Sequence, residues 1–230
     1  MYHTLLGFLL SALTCMANDG AFIANSGILK PQKQTKIRIQ REWLHFDLNT
    51  DSAEVSVRFH FFNPDDTVVT LDVGFLVDRG CGDVGLETIS KPGVKGLITQ
   101  LNGEILPYRL YIQSCDTCPL EQPEVAIERE NRENDEPNTQ ACNTRFVFLS
   151  KMAFVPGRNV VTHVYSQRPS SSVAFEAEYE YVISTASAWA GGQIDTFECN
   201  VRMPNNKLCY VGGMNNVGQV RTIGTAREFR

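Results

Sequence analysis

Alternation with a period of two constrains this chain more than any other feature. Across 173–184 one face would carry Val173, Phe175, Ala177, Tyr179, Tyr181 and Ile183, and the other Ala174, Glu176, Glu178, Glu180, Val182 and Ser184. A helix would scatter these residues around its axis, whereas a strand sorts them into a core face and a wet face. Val55, Val57, Phe59 and Phe61 repeat the pattern, as do Val69, Leu71, Val73 and Phe75. Between those two runs Asn63-Pro64-Asp65-Asp66 reads as a turn, with proline preset at its second position. Asn102-Gly103 joins 96–101 to 104–112 as a hairpin, because both central residues of such a turn need positive φ. The Val55–Phe61 run is expected to span 54–62, and further strands are expected at 42–46, 145–149, 159–166, 196–202 and 207–211. About ten strands without long helices between them predict an all-β fold, an antiparallel β-sandwich or a pair of packed sandwich lobes. One short helix is expected through 186–190, capped by Ser184-Thr185 and ended by Gly191-Gly192, with Trp189 plugging one end of the core.

The N-terminus predicts export. Residues 5–13 (LLGFLLSAL) form an apolar run too short to span a bilayer but suited to a signal-peptide core. Cys15-Met16-Ala17 offers small residues at the recognition positions, so residues 1–17 are expected to be removed before Asn18. Met1-Tyr2-His3-Thr4 lacks the usual Lys or Arg, which a misplaced start codon would explain. Cys15 raises lipid attachment as an alternative, but Ala12-Leu13-Thr14 fits a lipobox poorly. No other segment is long and apolar enough to span, so the product is expected to be periplasmic or extracellular with no transmembrane span after cleavage. Residues 18–212 are expected to form the sandwich domain, with an acidic loop inserted at 116–141 and a tail at 213–230.

Charge is concentrated in that insertion. The 230 residues carry 21 Lys+Arg and 26 Asp+Glu, a net charge of -5. Residues 121–136 hold seven of the acids and two of the bases, which accounts for the whole excess. With no basic surplus, sequence-independent nucleic-acid binding has no electrostatic basis. Pro119, Pro123 and Pro137 and the like charges predict an extended, solvated loop. Its length makes Glu124, Glu128, Glu130, Glu133, Asp135 and Glu136 candidates for a partner contact.

Removal of residues 1–17 would leave six cysteines, an even number that favours disulfides in an exported chain. Cys199 and Cys209 flank the turn-like Met203-Pro204-Asn205-Asn206, and a hairpin there would bring them opposite each other, so a Cys199–Cys209 bond is expected. The spacing of Cys115 and Cys118 also allows a redox dithiol or half a zinc site. No α/β context supports the first, and no second close pair among Cys81, Cys142, Cys199 and Cys209 supports the second. Structural bridges are therefore expected, with Cys142 taking Cys115 or Cys118 and Cys81 the other, a closure adding about 3 kcal/mol.

Other constellations fall short. Asp47-Leu48-Asn49-Thr50-Asp51 begins like a calcium loop, but Ser52 and Arg58 stand where glycine and a bidentate glutamate are needed. Glu176, Glu178 and Glu180 lack any sign of the raised pKa or cleft that glycoside hydrolysis requires. His45, His60 and His163 lie in strand-like stretches, and no Gly-x-Ser-x-Gly elbow or phosphate loop is present. No cofactor or metal is expected. A sugar-binding sandwich would need an exposed aromatic platform, for which Trp43 and the tyrosines are the candidates.

Several fragments recur together in order: Asn18-Asp19-Gly20-Ala21-Phe22, Phe61-Phe62-Asn63-Pro64 followed by Val73-Gly74-Phe75, and Leu101-Asn102-Gly103 with Leu106-Pro107-Tyr108. The fourth runs from Ser170-Ser171-Ser172-Val173 through Tyr181-Val182-Ile183-Ser184-Thr185-Ala186 and Trp189-Ala190 to Gln193-Ile194-Asp195-Thr196-Phe197. Over most of residues 18–203 this order resembles a family of exported bacterial proteins of unknown function. Some members of that family carry a small C-terminal module of the YARHG type. The cysteine set departs from the family pattern, and 213–230 reads as a tail and not as that module. The resemblance implies an envelope-associated β domain and transfers no activity. Trp189, Ile194 and Phe197 read as core anchors by residue type. The combined expectation is a non-enzymatic binding or scaffolding module whose partner is an envelope protein or a glycan. An extracytoplasmic hydrolase or thiol-dependent enzyme is the alternative.

Overall fold

The structure, a computed structural model, describes residues 17–25, 28–31, 35–49, 51–78, 92–115, 118–133, 145–168, 179, 181, 188–203, 220–223 and 226–229. The expected alternation becomes two facing sheets. Strands β1 (Ala17–Asn25), β2 (Ile28–Pro31), β5 (Val69–Asp78), β8 (Arg109–Gln113) and β9 (Arg145–Phe154) form a five-stranded sheet in the order β2-β1-β5-β9-β8. A six-stranded sheet, ordered β11-β3-β4-β10-β6-β7, combines β3 (Arg38–Leu48), β4 (Ala53–Asn63), β6 (Val94–Leu101), β7 (Glu104–Leu106), β10 (Gly157–Gln167) and β11 (Thr196–Arg202). Among the described residues all strand pairings are antiparallel except that of β11, which runs parallel to β3. The fold is therefore an all-β sandwich with one parallel edge. β12 (Val220–Ile223) and β13 (Ala226–Phe229) add a hairpin within the segment expected to be a tail.

The core lies where the alternation points. Val55, Val57, Phe59 and Phe61 of β4 are all buried, and Val73, Phe75, Phe146, Phe148, Met152 and Phe154 meet them from the opposite sheet. Ring contacts tie the layers: Phe61 to Phe154 at 5.4 Å, and Phe75 to His163 at 5.1 Å and Tyr165 at 5.2 Å. Trp189 closes one end, 4.5 Å from Phe61, while Ile194 and Phe197 pack half-buried against the same core. Ala188–Ala190 make a tight turn ended by Gly191 and Gly192. Residues 184–187, the cap and first residues of the expected helix, and most of 173–184 lie outside the described residues. Tyr179 and Tyr181, from the face expected to be apolar, are half-buried against the core.

Turn chemistry holds the strand ends. Asn102 (φ 53) and Gly103 (φ 89) make the β6–β7 turn that the Asn-Gly pair predicts. Asn63 accepts a hydrogen bond from the Asp65 N–H and donates to the carbonyls of Thr67 and Phe154, so the β4–β5 turn is stitched to β9. The expected strand 104–112, however, is two strands in different sheets. Pro107 has no N–H to continue a ladder, and the chain crosses there from β7 to β8.

The acidic stretch is also corrected. Within 116–141, expected as an extended loop, Pro123–Glu133 forms helix α1. Proline suits a first helical position because its missing N–H would have had no partner there, and Glu124 complements the positive end of the helix dipole. The Ala126 N–H donates to the Gln122 carbonyl at 3.1 Å, and the Ala126 side chain is wholly buried. Burial of one helix face thus outweighs the repulsion that favoured extension.

Candidate functional site

With the inner faces used for packing, the six-stranded sheet presents its other face outward. The registers across β3, β4 and β10 place Arg41 opposite His60 opposite Val160, Trp43 opposite Arg58 opposite Thr162, and Arg38 opposite Phe62 opposite Arg158. On β11, Thr196 lies beside Arg41. A β-bulge decides part of this arrangement. The β3–β4 register shifts between Ile39 and Arg41, so Gln40 is the extra residue, and the phase changes from buried Ile37 and Ile39 to buried Leu44 and Phe46. Two consecutive side chains, Gln40 and Arg41, consequently line the same depression, as bulged strands allow.

That depression has a volume of about 410 Å3 and is open to solvent, lined by Gln40, Arg41, His60, Arg158, Asp195 and Thr196. His60 is half-buried, with the Trp43 ring 4.5 Å away in an edge-on arrangement. The Arg38 guanidinium sits over the Phe62 ring at 5.2 Å, a cation–π contact beside Arg158. Among the described residues no carboxylate lies within ion-pair reach of Arg41, Arg58 or Arg158. Burial first, and then the positive charges of Arg158, Arg41 and Arg58, hold the His60 imidazole below its ordinary pKa of 6.5. Further out the same face carries Asp47, Glu54 and Glu198, so the positive zone is local.

A general base must become a cation on accepting a proton, and three guanidinium groups penalise the imidazolium. Neutral His60 keeps one ring donor and one acceptor. Of the other histidines, His163 is buried between the sheets with its Nδ1 3.0 Å from Thr99 Oγ1, and His45 is half-buried on the outer face, away from the depression.

The cysteine expectations are partly replaced. Cys115 and Cys118 are bonded to each other, with Cα atoms 5.0 Å apart, so neither takes Cys142 as expected. The Cys118 N–H donates to the Cys115 carbonyl, and Ile112 and Glu121 exchange two backbone hydrogen bonds on either side. Local turn geometry thus brings the two sulfurs together without a distant partner. The pair does lie between strand β8 and helix α1, but four residues separate Cys118 from Pro123, so neither sulfur sits at the helix N-terminus. Cys199 is buried on the inner face of β11, whereas Cys81, Cys142 and Cys209 lie outside the described residues. Glu124 and Glu128 are exposed on α1; Glu130 and Glu133 belong to the same helix, and Asp135 and Glu136 lie outside the described residues.

Arg41 and Arg158 were not singled out by sequence, and Asp195 was named only within the Gln193–Phe197 fragment, because three strands and a loop must assemble before they meet. The signal available was the change of alternation phase between Ile39 and Leu44, which marks a bulge. Among the described residues no group of three or more His, Cys, Asp or Glu side chains could hold a metal, and no helix is long and apolar enough to cross a membrane.

No protein-family model matches the sequence, and no curated protein matches it. Among solved structures, a candidate nutrient-binding protein from Legionella pneumophila shares the fold at a TM-score of 0.59 and 14% identity, over 94% of this chain and 65% of that one. The present chain therefore spans just under two thirds of that protein. An M1 zinc metallopeptidase from Deinococcus radiodurans aligns over 88% of this chain and 40% of its own, at 11% identity and a TM-score of 0.39, too low to support any inference.

Proposed function

We propose that this chain is an exported, envelope-associated binding module that holds its ligand on the outer face of the six-stranded sheet without covalent chemistry. The observation that carries this reading is the solvent-open depression in which Arg41 and Arg158 flank His60 with no carboxylate partner among the described residues. Like charges gathered around a half-buried ring raise the free energy of the empty protein, and a complementary ligand relieves that repulsion. The shared fold of the Legionella protein supports a binding role. The apolar run 5–13, the Cys115–Cys118 disulfide and the resemblance to exported β-rich proteins support an oxidising compartment outside the cytoplasm.

Two measurements test the reading. Expression of the full chain in a bacterial host, followed by N-terminal sequencing of the exported product, should give Asn18 as first residue; a product retained in the cytoplasm with residues 1–17 intact would refute export. Thermal melting against a panel of small metabolites should reveal at least one stabilising compound, by about 2.7 kcal/mol at a hundredfold excess over its Kd. A panel in which nothing raises the melting temperature counts against a small-ligand module.

A further inference from the structure

We infer that the depression between β3, β4, β10 and the start of β11 is a site for a small sugar acid, a single carboxylate carried on a polyhydroxylated ring. The inference rests on the proposed binding role and names its ligand class. Four features of the lining argue for it.

Arg41 and Arg158 stand on strands either side of His60, one from β3 and one from β10. Guanidinium groups are the donors that match a carboxylate in a bidentate, planar way, and among the described residues neither pairs with a carboxylate. Asp195 shares the lining. Its carboxylate accepts hydrogen bonds and donates none, so it would oppose a compact, multiply charged anion yet suit a hydroxyl hydrogen. Gln40, Thr196 and neutral His60 each offer both a donor and an acceptor, the complement of vicinal hydroxyls. Finally, a volume of about 410 Å3 lies at the small end of ligand cavities and suits a single ring better than a polymer. The acids Asp47, Glu54 and Glu198 on the surrounding face argue against a long polyanion such as a nucleic acid.

The test is calorimetric titration of the full chain with glucuronate, glucose, acetate and inorganic phosphate. Glucuronate should bind at least about tenfold tighter than either glucose or acetate, since each of those supplies only half of the recognised chemistry. Arg41→Ala and Arg158→Ala, both solvent-exposed positions, should each weaken glucuronate about tenfold with the circular dichroism spectrum unchanged. Asp195→Asn should weaken glucuronate while leaving phosphate unchanged or improved. Equal binding of glucose and glucuronate, or phosphate binding tighter than glucuronate, would overturn the inference. So would glucuronate binding that survives both arginine substitutions. If no sugar acid binds while another metabolite in the melting panel does, the ligand class falls and the binding module stands; if nothing binds, both fall.

Discussion

Trp189 is 2% exposed, with its ring 4.5 Å from Phe61 and 6.0 Å from Phe154, so it joins both sheets at one end of the sandwich. No neighbouring side chain can fill the space of an indole. Trp189→Ala should therefore lower stability by about 3–5 kcal/mol in urea unfolding, and a loss below about 1 kcal/mol would show that the ring is dispensable. His60 makes a different single-residue prediction. Burial and the arginines depress its folded-state pKa, so the unfolded chain binds the proton first as pH falls. His60 then contributes no pH dependence well above 6.5, and stability declines as pH drops from about 6.5 through the depressed folded value. His60→Asn should flatten that part of the profile. An unchanged slope in the variant would assign the dependence to another group.

At the scale of elements, α1 is the test of whether the acidic stretch is structural. Its Ala126 has no exposed surface, and Ile127 is half-buried against the same core. A carboxylate at position 126 would have to be buried without a partner or expel the helix. Ala126→Asp should accordingly cost about 3 kcal/mol and open 123–133 to proteolysis, whereas Glu124→Gln, at an exposed position, should leave cleavage unchanged. Wild-type resistance in Ala126→Asp would return the segment to a solvated insertion. The Cys115–Cys118 bond belongs to the same element boundary. It closes a four-residue turn, so in the chain-entropy treatment it contributes about 2 kcal/mol, less than the longer closure expected from sequence.

The described residues share one principal core. Residues of β3, β4, β10 and β11 and those of β5, β8 and β9 belong to the same buried cluster, so neither sheet can lose its inner face without exposing the other's. Unfolding of the described sandwich should be one cooperative transition. The two tryptophans make this measurable, since Trp189 is in the core and Trp43 is on the outer face beside His60. Trp43→Phe and Trp189→Phe each leave one reporter. Plots of fluorescence and circular dichroism against urea should superimpose within each variant, and separated midpoints would reveal independently unfolding layers.

The strands and their buried faces were legible in the sequence because period-two alternation is local: each of Val55, Val57, Phe59 and Phe61 announces its side from its immediate neighbours. The Asn63-Pro64 and Asn102-Gly103 turns were legible for the same reason, since backbone φ preferences act within a few residues. What tertiary structure alone decided involves competition between distant parts. The acidic segment follows helix geometry because Ala126 finds a core to enter, a gain invisible in a run of like charges. The strand expected at 104–112 divides at Pro107 because two sheets are present to receive its halves. The candidate site was least legible, with His60 noted only as a strand residue, Asp195 only within a recurring fragment, and Arg41 and Arg158 unmarked. By itself the sequence determined an all-β chain with alternating faces. Which outward side chains meet was decided only when β3, bulged at Gln40, aligned with β4 and β10, because lateral register depends on pairing between segments far apart in the chain.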